Sequence, residues 1–475
     1  MIHSSLPKAL LLLLFIFCSS LSLIAKSTVV SGRVESPEID RVAVYYIEDY
    51  LTQKLKKIKE VNLDENDLFF IDLDIDDIQH VVIRCGNIAG KFFAEPEVRY
   101  ALILTAPQEE EPLSKGRLNY VRIKLKEKKI SPLNVNITRI NIDIDSILIK
   151  YQKEILFNKF KEPFIESKNI LNEKYAHINN QFVKDYLFYS IGVLELMAYR
   201  KSQKRIYKDY LDKKPILYSN PAYMDFFSKF YENHFRQYLL SSKNKGFSKD
   251  LEENNHFVAI RLMETDTLYK DEKIRELAVL KGIKDVYYES FVPKKDLLSL
   301  LNYLSEKGSC KQIKIISGNL HRKLSKFNSG NNMPTLSMKD IDGNKITNHD
   351  FKEKFTYYHF WAPWNPVNIQ EFQLMQNLHK KYGMKVNFVS VSPYINKKEL
   401  KEFIETYKYD WTFTIMDIYD EVLMDMEVNI TPHFMLTYPS GRVALIPAPY
   451  PSEDAKEMLD EVVKNPKKEF TVGIK

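Results

Sequence analysis

The feature that most constrains the fold is an alternation of strand-like and helix-like segments in the last part of the chain. It follows residues 328–334, a cluster of Asn, Ser, Gly and Pro without apolar periodicity, which is typical of a linker. Short apolar runs then alternate with segments of helical period, which predicts an α/β domain. The predicted strands are 335–339, 356–361, 386–392, 434–438 and 443–446, and the predicted helices are 365–382, 397–407 and 452–464.

Two other patterns precede this one, so several domains are expected. The 475 residues exceed what a single hydrophobic core usually serves. From 27 to 145, short β-branched and aromatic runs alternate with turns, which predicts a β-sandwich-like domain. From 146 to 327 the apolar period becomes helical, and long stretches lack Gly and Pro, which predicts a helical region.

One helix start in the helical region is marked by Ser219-Asn220-Pro221, where a capping side chain precedes a proline at the first helical position. Aromatic residues follow at helical spacing, at positions 223, 226, 227, 230, 231, 235 and 238. An exposed stripe of this kind could bind a peptide or a glycan, but aromatic faces at this spacing are more often packed. We therefore expect this stripe to be core. Residues 271–290 carry four apolar residues on one side and are interpreted in the same way.

The first residues have the order of a secretory signal peptide. Lys8 precedes an apolar run over 9–17, and a small-residue site lies near Ala25. The run is short for a membrane span, which needs about 20 apolar residues. Cys18 raises the alternative of a lipid anchor, although bulky Phe17 stands before it. We expect residues 1–25 to be removed and the mature chain to be exported to the periplasm or the outer cell envelope.

Composition and charge exclude several classes of protein. The chain is 44% hydrophobic and 28% charged, which is typical of a folded protein. Its formal net charge of +6 is too weak a bias to predict nucleic-acid binding without a concentrated basic patch. Nucleotide-binding loops and zinc-protease motifs are absent from the sequence. Asp72, Asp74 and Asp76 fit the solvent face of a strand better than a calcium loop, so neither a metal nor a cofactor is predicted.

The most informative motif is Phe-Trp-Ala-Pro-Trp-Asn-Pro-Val-Asn at 360–368, between a predicted strand and a predicted helix. Further marks occur in order around it: Met333-Pro334, Asp342-Gly343, Ile430-Thr431-Pro432 and Gly441. Over about 332–464 the chain resembles the exported thioredoxin-like proteins of the TlpA/ResA group, which are redoxins with thiol-disulfide oxidoreductase activity. The upstream parts resemble, more loosely, the β domain and helical segment that precede some exported thioredoxins.

The resemblance implies a multidomain α+β protein whose C-terminal domain, 332–475, is a thioredoxin-like α/β domain. In the family, a Cys-x-x-Cys pair stands at the start of the active-site helix, where the helix dipole lowers the pKa of the first thiol. Asn365 and Asn368 occupy those two positions. The resemblance therefore implies a site without its redox dithiol. Asn365 still suits the helix cap, and Pro366 suits the first turn.

Binding is the function that could remain at such a site. By the same resemblance, Pro432 would be a cis proline, and the backbone of Thr431 would pair with an extended peptide. Trp364, Asn365, Thr431 and Pro432 are therefore the candidate peptide-binding residues. His359 and His433 have no recognisable partners for catalysis in the sequence, so we expect structural roles for them.

Only Cys85 and Cys310 would survive removal of the leader. Two buried thiols are favoured over a bridge between them, and a catalytic pair is less favoured still. Three hypotheses remain. The favoured one is a non-catalytic module of the envelope that binds a polypeptide or assembles with a protein partner. The others are a residual oxidoreductase that uses Cys85 or Cys310, and a purely structural scaffold.

Overall fold

The structure is a computed structural model that describes residues 28–35, 40–86, 88–105, 119–120, 124–125, 132–198, 201–241, 245–287, 292–326, 329–362, 366–392, 397–417, 422–423, 426 and 432–465. The predicted leader at 1–25, including Cys18, lies outside the described residues. So does a strand-like run at 121–123. The described residues form a β domain, a helical region and an α/β domain in chain order. None of their helices has the length and apolar character needed to cross a membrane.

The β domain consists of two sheets that share one core. Its strands are β1 Thr28–Val34, β2 Arg41–Asp49, β3 Lys54–Asn62, β4 Leu68–Leu73, β5 Gln79–Cys85, β6 Ile88–Ala94, β7 Arg99–Leu104, β8 Asn119–Tyr120 and β9 Lys124–Leu125. Their orders are β4-β1-β7-β9 and β3-β2-β5-β6-β8. Val30 and Ile71 of the first sheet pack in the same core as Val44 and Ile83 of the second. Alternate residues of β4 are buried, as the period-2 pattern predicts.

The turn between β2 and β3 inserts into the helical region. Leu51 at its tip is 2% exposed and belongs to the core of the helices. Lys284 Nζ donates to Leu51 O at 2.8 Å, and Asn319 Nδ2 donates to the carboxylate of Asp49 at 2.8 Å. Burial raises the pKa of Asp49, against the hydrogen bonds that it accepts from Thr52 and Asn319. The β domain is therefore joined to the helices by both apolar and polar contacts.

Truncating this tip should weaken the fold. We expect Leu51→Ala to lower the free energy of unfolding by about 2–4 kcal/mol, because it removes buried atoms and leaves a cavity between two regions. Leu68→Ala is the matched control, since Leu68 is exposed in the same domain. It should cost less than about 1 kcal/mol. Urea denaturation followed by circular dichroism measures the free energy of unfolding of both variants. Equal losses of stability in the two would show that Leu51 does not stabilise the contact between the β domain and the helices.

The helical region begins earlier than the predicted boundary at 146. Its helices are α1 Pro132–Lys150, α2 Gln152–Leu156, α3 Lys161–Lys174, α4 Gln181–Met197, α5 Gln203–Tyr210, α6 Pro221–Phe230, α7 His234–Leu240, α8 Lys245–Glu252, α9 His256–Leu262, α10 Glu272–Val286, α11 Lys294–Lys307 and α12 Lys311–Ser325. Residues 140–145 alternate apolar and polar residues like a strand, after a break at Thr138-Arg139. They form a helix because Leu133, Ile137 and Ile140, spaced by four and three, share one buried face.

The aromatic stripe is core, as predicted, but it spans two helices instead of one. The Asn220 side chain accepts hydrogen bonds at the start of α6, which confirms the predicted cap. Asn233, in the left-handed region with φ of 61°, separates α6 from α7. All the stripe residues are buried except Tyr238, which is partly buried against the same core. The next predicted helix, α10, is buried on nearly all sides and not on one face alone.

The C-terminal domain is a mixed sheet with three helices packed against one core. Its elements are β10 Ser337–Asp340, β11 Lys345–Thr347, β12 Phe355–Phe360, α13 Pro366–Tyr382, β13 Val386–Ser392, α14 Lys397–Tyr407, β14 Thr412–Met416, β15 His433–Thr437, β16 Val443–Leu445 and α15 Ala455–Lys464. The sheet order is β11-β10-β14-β13-β12-β15-β16. The sequence analysis missed β14. All six residues of the central strand β12 are buried.

Candidate functional site

The candidate site lies where β12 ends and α13 begins. Strand β12 pairs in parallel with β13 and antiparallel with β15. Trp361 continues the strand direction, and its backbone N–H donates to Val391 O at 3.0 Å. Helix α13 then starts at Pro366, which confirms a helix start within one residue of the prediction. Trp364 and Asn365 lie between these points, outside the described residues.

Asn368 is the part of the Asn-x-x-Asn motif that the structure describes. Its side chain is fully buried in the first turn of α13, and Nδ2 donates to Ala362 O at 3.1 Å. This bond joins the start of the helix to the end of the strand that precedes it. Asn368 therefore holds the connection together from inside, and it offers no surface to a ligand.

Two buried aromatic residues lie beneath this connection. The His359 ring stacks on Phe434, with ring centroids 4.6 Å apart and 5° between the planes, and it contacts the edge of Phe372 at 4.7 Å. Burial lowers the pKa of His359 to about 3, although the Asn368 side chain partly opposes this shift. The imidazole is therefore neutral at ordinary pH. Trp361 packs on Phe372 and Phe403 at 4.9 and 4.8 Å.

The start of β15 lies beside the end of β12, since Phe360 and His433 are register partners. Pro432, just before it, is buried, and its carbonyl accepts a hydrogen bond from Tyr450 Oη at 2.9 Å. Burial lowers the pKa of His433 to about 4. Thr431 and the bond between Thr431 and Pro432 lie outside the described residues. The structure thus places Pro432 near the end of β12, with its own carbonyl already engaged within the chain.

The sequence analysis missed a second set of contacts behind the site. Glu371, one turn after Asn368, is buried, and its carboxylate accepts hydrogen bonds from the backbone N–H of Ser452 at 3.1 Å and from its hydroxyl. Tyr357 Oη donates to Pro449 O. These hydrogen bonds, and the one from Tyr450 to Pro432 O, hold the segment 449–452 against β12, the start of β15 and α13. The only sequence signal for these contacts would have been Glu371 itself, an acidic residue beside the apolar helix positions Phe372 and Met375.

Neither cysteine of the described residues belongs to this site. Cys85 ends β5 and lies in the core of the β domain. Cys310 precedes α12 in the helical region, and the Tyr218 hydroxyl lies 3.6 Å from its sulfur. Within the described part of the chain neither forms a disulfide. Cys85 is buried as expected, whereas Cys310 is only partly buried, because it stands at the exposed start of a helix.

The described residues hold no group of three or more His, Cys, Asp or Glu side chains placed to bind a metal ion. Asp72 lies on the exposed side of β4, as the strand interpretation requires, and Asp74 and Asp76 are exposed beyond its end. Asp77 accepts a hydrogen bond from the backbone N–H of Ile78, which is a local turn contact.

The β domain contacts the C-terminal domain at one described ion pair. Arg41, at the start of β2, donates to Asp417 at 3.2 Å and also pairs with Glu60 at 3.1 Å. Asp417 directly follows β14, which is parallel to β13 and β12. Parallel strands end at the same edge of a sheet, so this contact lies at the edge that also carries the connection between β12 and α13. Strand β13 separates the two places.

The C-terminal domain matches a known protein family. Residues 328–448 match the sequence model of the family described as Redoxin. The chain is 34% identical to the thioredoxin-like protein YneN of Bacillus subtilis (strain 168) over 107 residues, which are 21% of this chain and 61% of YneN. It is 28% identical to the thiol-disulfide oxidoreductase ResA of Bacillus thuringiensis over 144 residues, which are 30% of this chain and 80% of ResA.

A solved thioredoxin domain of a thiol-disulfide oxidoreductase from Bacteroides vulgatus is 22% identical to the chain, with a TM-score of 0.25. It covers 29% of this chain, and the match covers 96% of that domain. Of these matches, the one to the Redoxin family model, at residues 328–448, includes the candidate site.

Proposed function

We propose that this chain, whose C-terminal domain belongs to the redoxin family and is similar to ResA, is a non-catalytic module of the cell envelope that binds a polypeptide or assembles with a protein partner. The observation that carries the proposal is the pair of asparagines at positions 365 and 368 in the frame of the redox motif. An amide forms no disulfide and carries no electrons. Dithiol exchange through these two positions is therefore excluded by their chemistry.

The contacts of Asn368 support a retained site geometry. Its amide bonds to Ala362 O and so closes the turn between β12 and α13 with a neutral hydrogen bond. The buried positions around it, Trp361 and His359, are filled by packed aromatic rings. The described ends of this connection, Ala362 and Pro366, are thus held in place on either side of Trp364 and Asn365. The retained frame favours a binding role for the side chains next to it.

The proposed contact residues are Trp364, Asn365, Thr431 and Pro432, of which Pro432 is buried and would support Thr431 instead of touching the peptide itself. Since the Pro432 carbonyl already accepts from Tyr450, main-chain pairing with a peptide would fall on Thr431. Trp364 would add apolar contact area, which is the usual role of tryptophan at protein interfaces. The N-terminal pattern at 1–25 supports export, and an exported polypeptide or envelope protein is the partner that we propose.

The scaffold hypothesis also has an observation in its favour. The Arg41–Asp417 pair joins the β domain to the sheet edge that carries the candidate site. If the C-terminal domain serves only to pack against the rest of the chain, then contacts of this kind are its whole function. The test of the binding proposal must therefore compare the candidate surface with another exposed part of the same domain.

Affinity capture from an envelope extract of the source organism provides this test. We expect the wild type to retain a protein that the double variant Trp364→Ala, Thr431→Lys loses. Met384→Lys is the matched control, because Met384 is 91% exposed and lies between α13 and β13, at the opposite edge of the sheet. Equal recovery by all three proteins, each shown to be folded by circular dichroism, would refute binding at this surface and leave the scaffold hypothesis.

A further inference from the structure

An exposed apolar surface lies in the helical region, where α1 ends and α2 follows. Ile149, Leu156 and Phe157 are 76, 74 and 66% exposed. Among the large apolar side chains that the structure describes, only that of Met384 is more exposed. Single exposed apolar residues are ordinary, but here three of the four most exposed ones lie within nine positions. The proposed function uses none of them, so this surface calls for a ligand of its own.

The backbone beneath this surface is ordered. The helical hydrogen bonds of α1 continue through Tyr151 into α2, since its N–H donates to Ile147 O and its C=O accepts from Ile155 N–H, both at 3.0 Å. Ile149 and Leu156 are seven residues apart, which is about two helical turns, so they share one face of this nearly continuous helix. The two side chains therefore project from the helix in the same direction.

Other side chains of the same segment fill the core. Phe160 and Phe164 are fully buried, and the Tyr151 ring lies 5.9 Å from that of Phe160. Ile155 packs against the same core, while Leu156, its neighbour in sequence, faces outward. The exposed apolar side chains therefore contribute little to the core. Their exposure makes this surface prone to association with another apolar phase.

Exposed lysines accompany these side chains along residues 149–161, at Lys150, Lys153, Lys159 and Lys161. The one acid of this segment is Glu154, which is partly buried. The neighbouring turns carry further acids, Asp145 on α1 and Glu162 and Glu166 on α3, so the positive charge is local and moderate. Such a charge complements an anionic surface but binds it weakly by itself. The apolar side chains must therefore supply the larger part of any attachment.

This combination of apolar and basic side chains fits a lipid surface better than a protein. Asn158, with φ of 55°, turns the chain from α2 toward α3, so the segment is a surface turn whose side chains project. A stable protein interface needs about 800 Å² of complementary surface on each partner, whereas a bilayer accepts separate projecting side chains. Lysine stems can lie along the headgroups with their ammonium groups at the phosphates. We propose that residues 149–161 insert into the interface of a membrane that contains anionic lipids, with Leu156 and Phe157 entering the acyl boundary.

Flotation of the whole chain with vesicles of phosphatidylethanolamine and phosphatidylglycerol tests the proposal. Leu156→Ser with Phe157→Ser should weaken binding by about tenfold or more, because two apolar side chains no longer leave water. The matched control is Phe257→Ser with Val258→Ser, an adjacent pair of exposed apolar residues on α9, which should leave binding unchanged. Lys153→Gln with Lys159→Gln should weaken binding by about fivefold for each lysine, and only where phosphatidylglycerol is present.

A local measurement keeps the test decisive even if residues 1–25 also bind lipid. Phe157→Trp places a fluorophore at the proposed contact, and brominated lipids in the vesicles should quench its fluorescence. Phe257→Trp is the control, and its added fluorescence should not be quenched. Absence of quenching for Phe157→Trp would overturn the proposal whatever the flotation shows. So would light scattering that finds a dimer of the wild type, but not of the Leu156→Ser, Phe157→Ser variant, without lipid, since a second copy would then cover the surface.

Discussion

Replacing Asn365 and Asn368 together by cysteine is expected to give the chain a reversible disulfide and to raise its disulfide-reductase activity above that of the wild type. Positions i and i+3 at the start of a helix are neighbours, and a thiol at position 365 would stand where free N–H groups favour a thiolate. The Asn368 side chain already lies in the interior beside Ala362. A cysteine at position 368 would therefore have its sulfur in the interior, next to the start of α13.

Three measurements check this expectation. Thiol titration of the double variant should differ between oxidised and reduced samples, whereas the wild type should show no difference. Insulin reduction in the presence of dithiothreitol should rise above the wild-type background for the double variant alone. Asn365→Cys by itself is the matched control, because it can form a mixed disulfide but has no resolving thiol.

The same experiment decides between the proposed function and its redox alternative. If the wild type already reduces insulin, and if Cys85→Ser with Cys310→Ser abolishes that activity, then the chain is a residual oxidoreductase. The positions of these cysteines argue against this result. Cys85 lies in the core of the β domain, and Cys310 is in the helical region, so neither has a second sulfur nearby among the described residues.

Local sequence predicted the helices and strands whose residues clearly favour one type of secondary structure. The strand Val386–Ser392 and the helix Lys397–Tyr407 have the predicted bounds, because one is a short run rich in Val and Phe and the other a polar segment with helical period. The predicted domain boundary at 146 was wrong, because helix Pro132–Lys150 begins before it in a segment whose isoleucines at 140, 142 and 144 alternate with polar residues. Tertiary packing determined that this segment is a helix. The helical face formed by Leu133, Ile137 and Ile140 is buried, whereas the alternating residues after it are not.

The candidate site was predictable in outline and not in detail. The motif at 360–368 located the junction between strand and helix, since this depends on adjacent residues. The burial of Pro432 and the hydrogen bond from Tyr450 depend on residues 18 positions apart that meet only in the folded sheet. The same holds for Glu371 and Ser452, which are 81 positions apart. Single-sequence patterns carry no information about such contacts.

The buried imidazole of His359 should make the stability of the C-terminal domain depend on pH. Its pKa is about 3 in the fold and 6.5 in an unfolded chain. Between these two pH values the unfolded chain holds a proton on His359 that the native domain does not. The contribution of His359 to the free energy of unfolding therefore rises with pH. The contribution is complete above about pH 6.5 and is lost at about 1.4 kcal/mol per pH unit as the pH falls toward 3.

His359→Phe should remove the part of this pH dependence that comes from residue 359, because a phenyl ring can keep the stacking on Phe434 and Phe372 but takes up no proton. Relative to the wild type, the variant should gain about 2 kcal/mol between pH 7.5 and pH 5. All three tryptophans of the chain lie in this domain, so tryptophan fluorescence during urea denaturation reports its unfolding. The matched control is His349→Gln, an exposed histidine of the same domain.

A second histidine provides a check, because His433 is partly buried beside the candidate site and has a pKa lowered to about 4. His359→Phe should therefore flatten the pH dependence without abolishing it, and adding His433→Gln should flatten it further. Equal pH slopes for the wild type and His359→Phe would mean that the imidazole is charged or solvated in the native domain. A charged imidazole beneath Asn368 would give the turn a positive charge, and the site that we propose for polypeptide binding would then favour acidic segments over neutral ones.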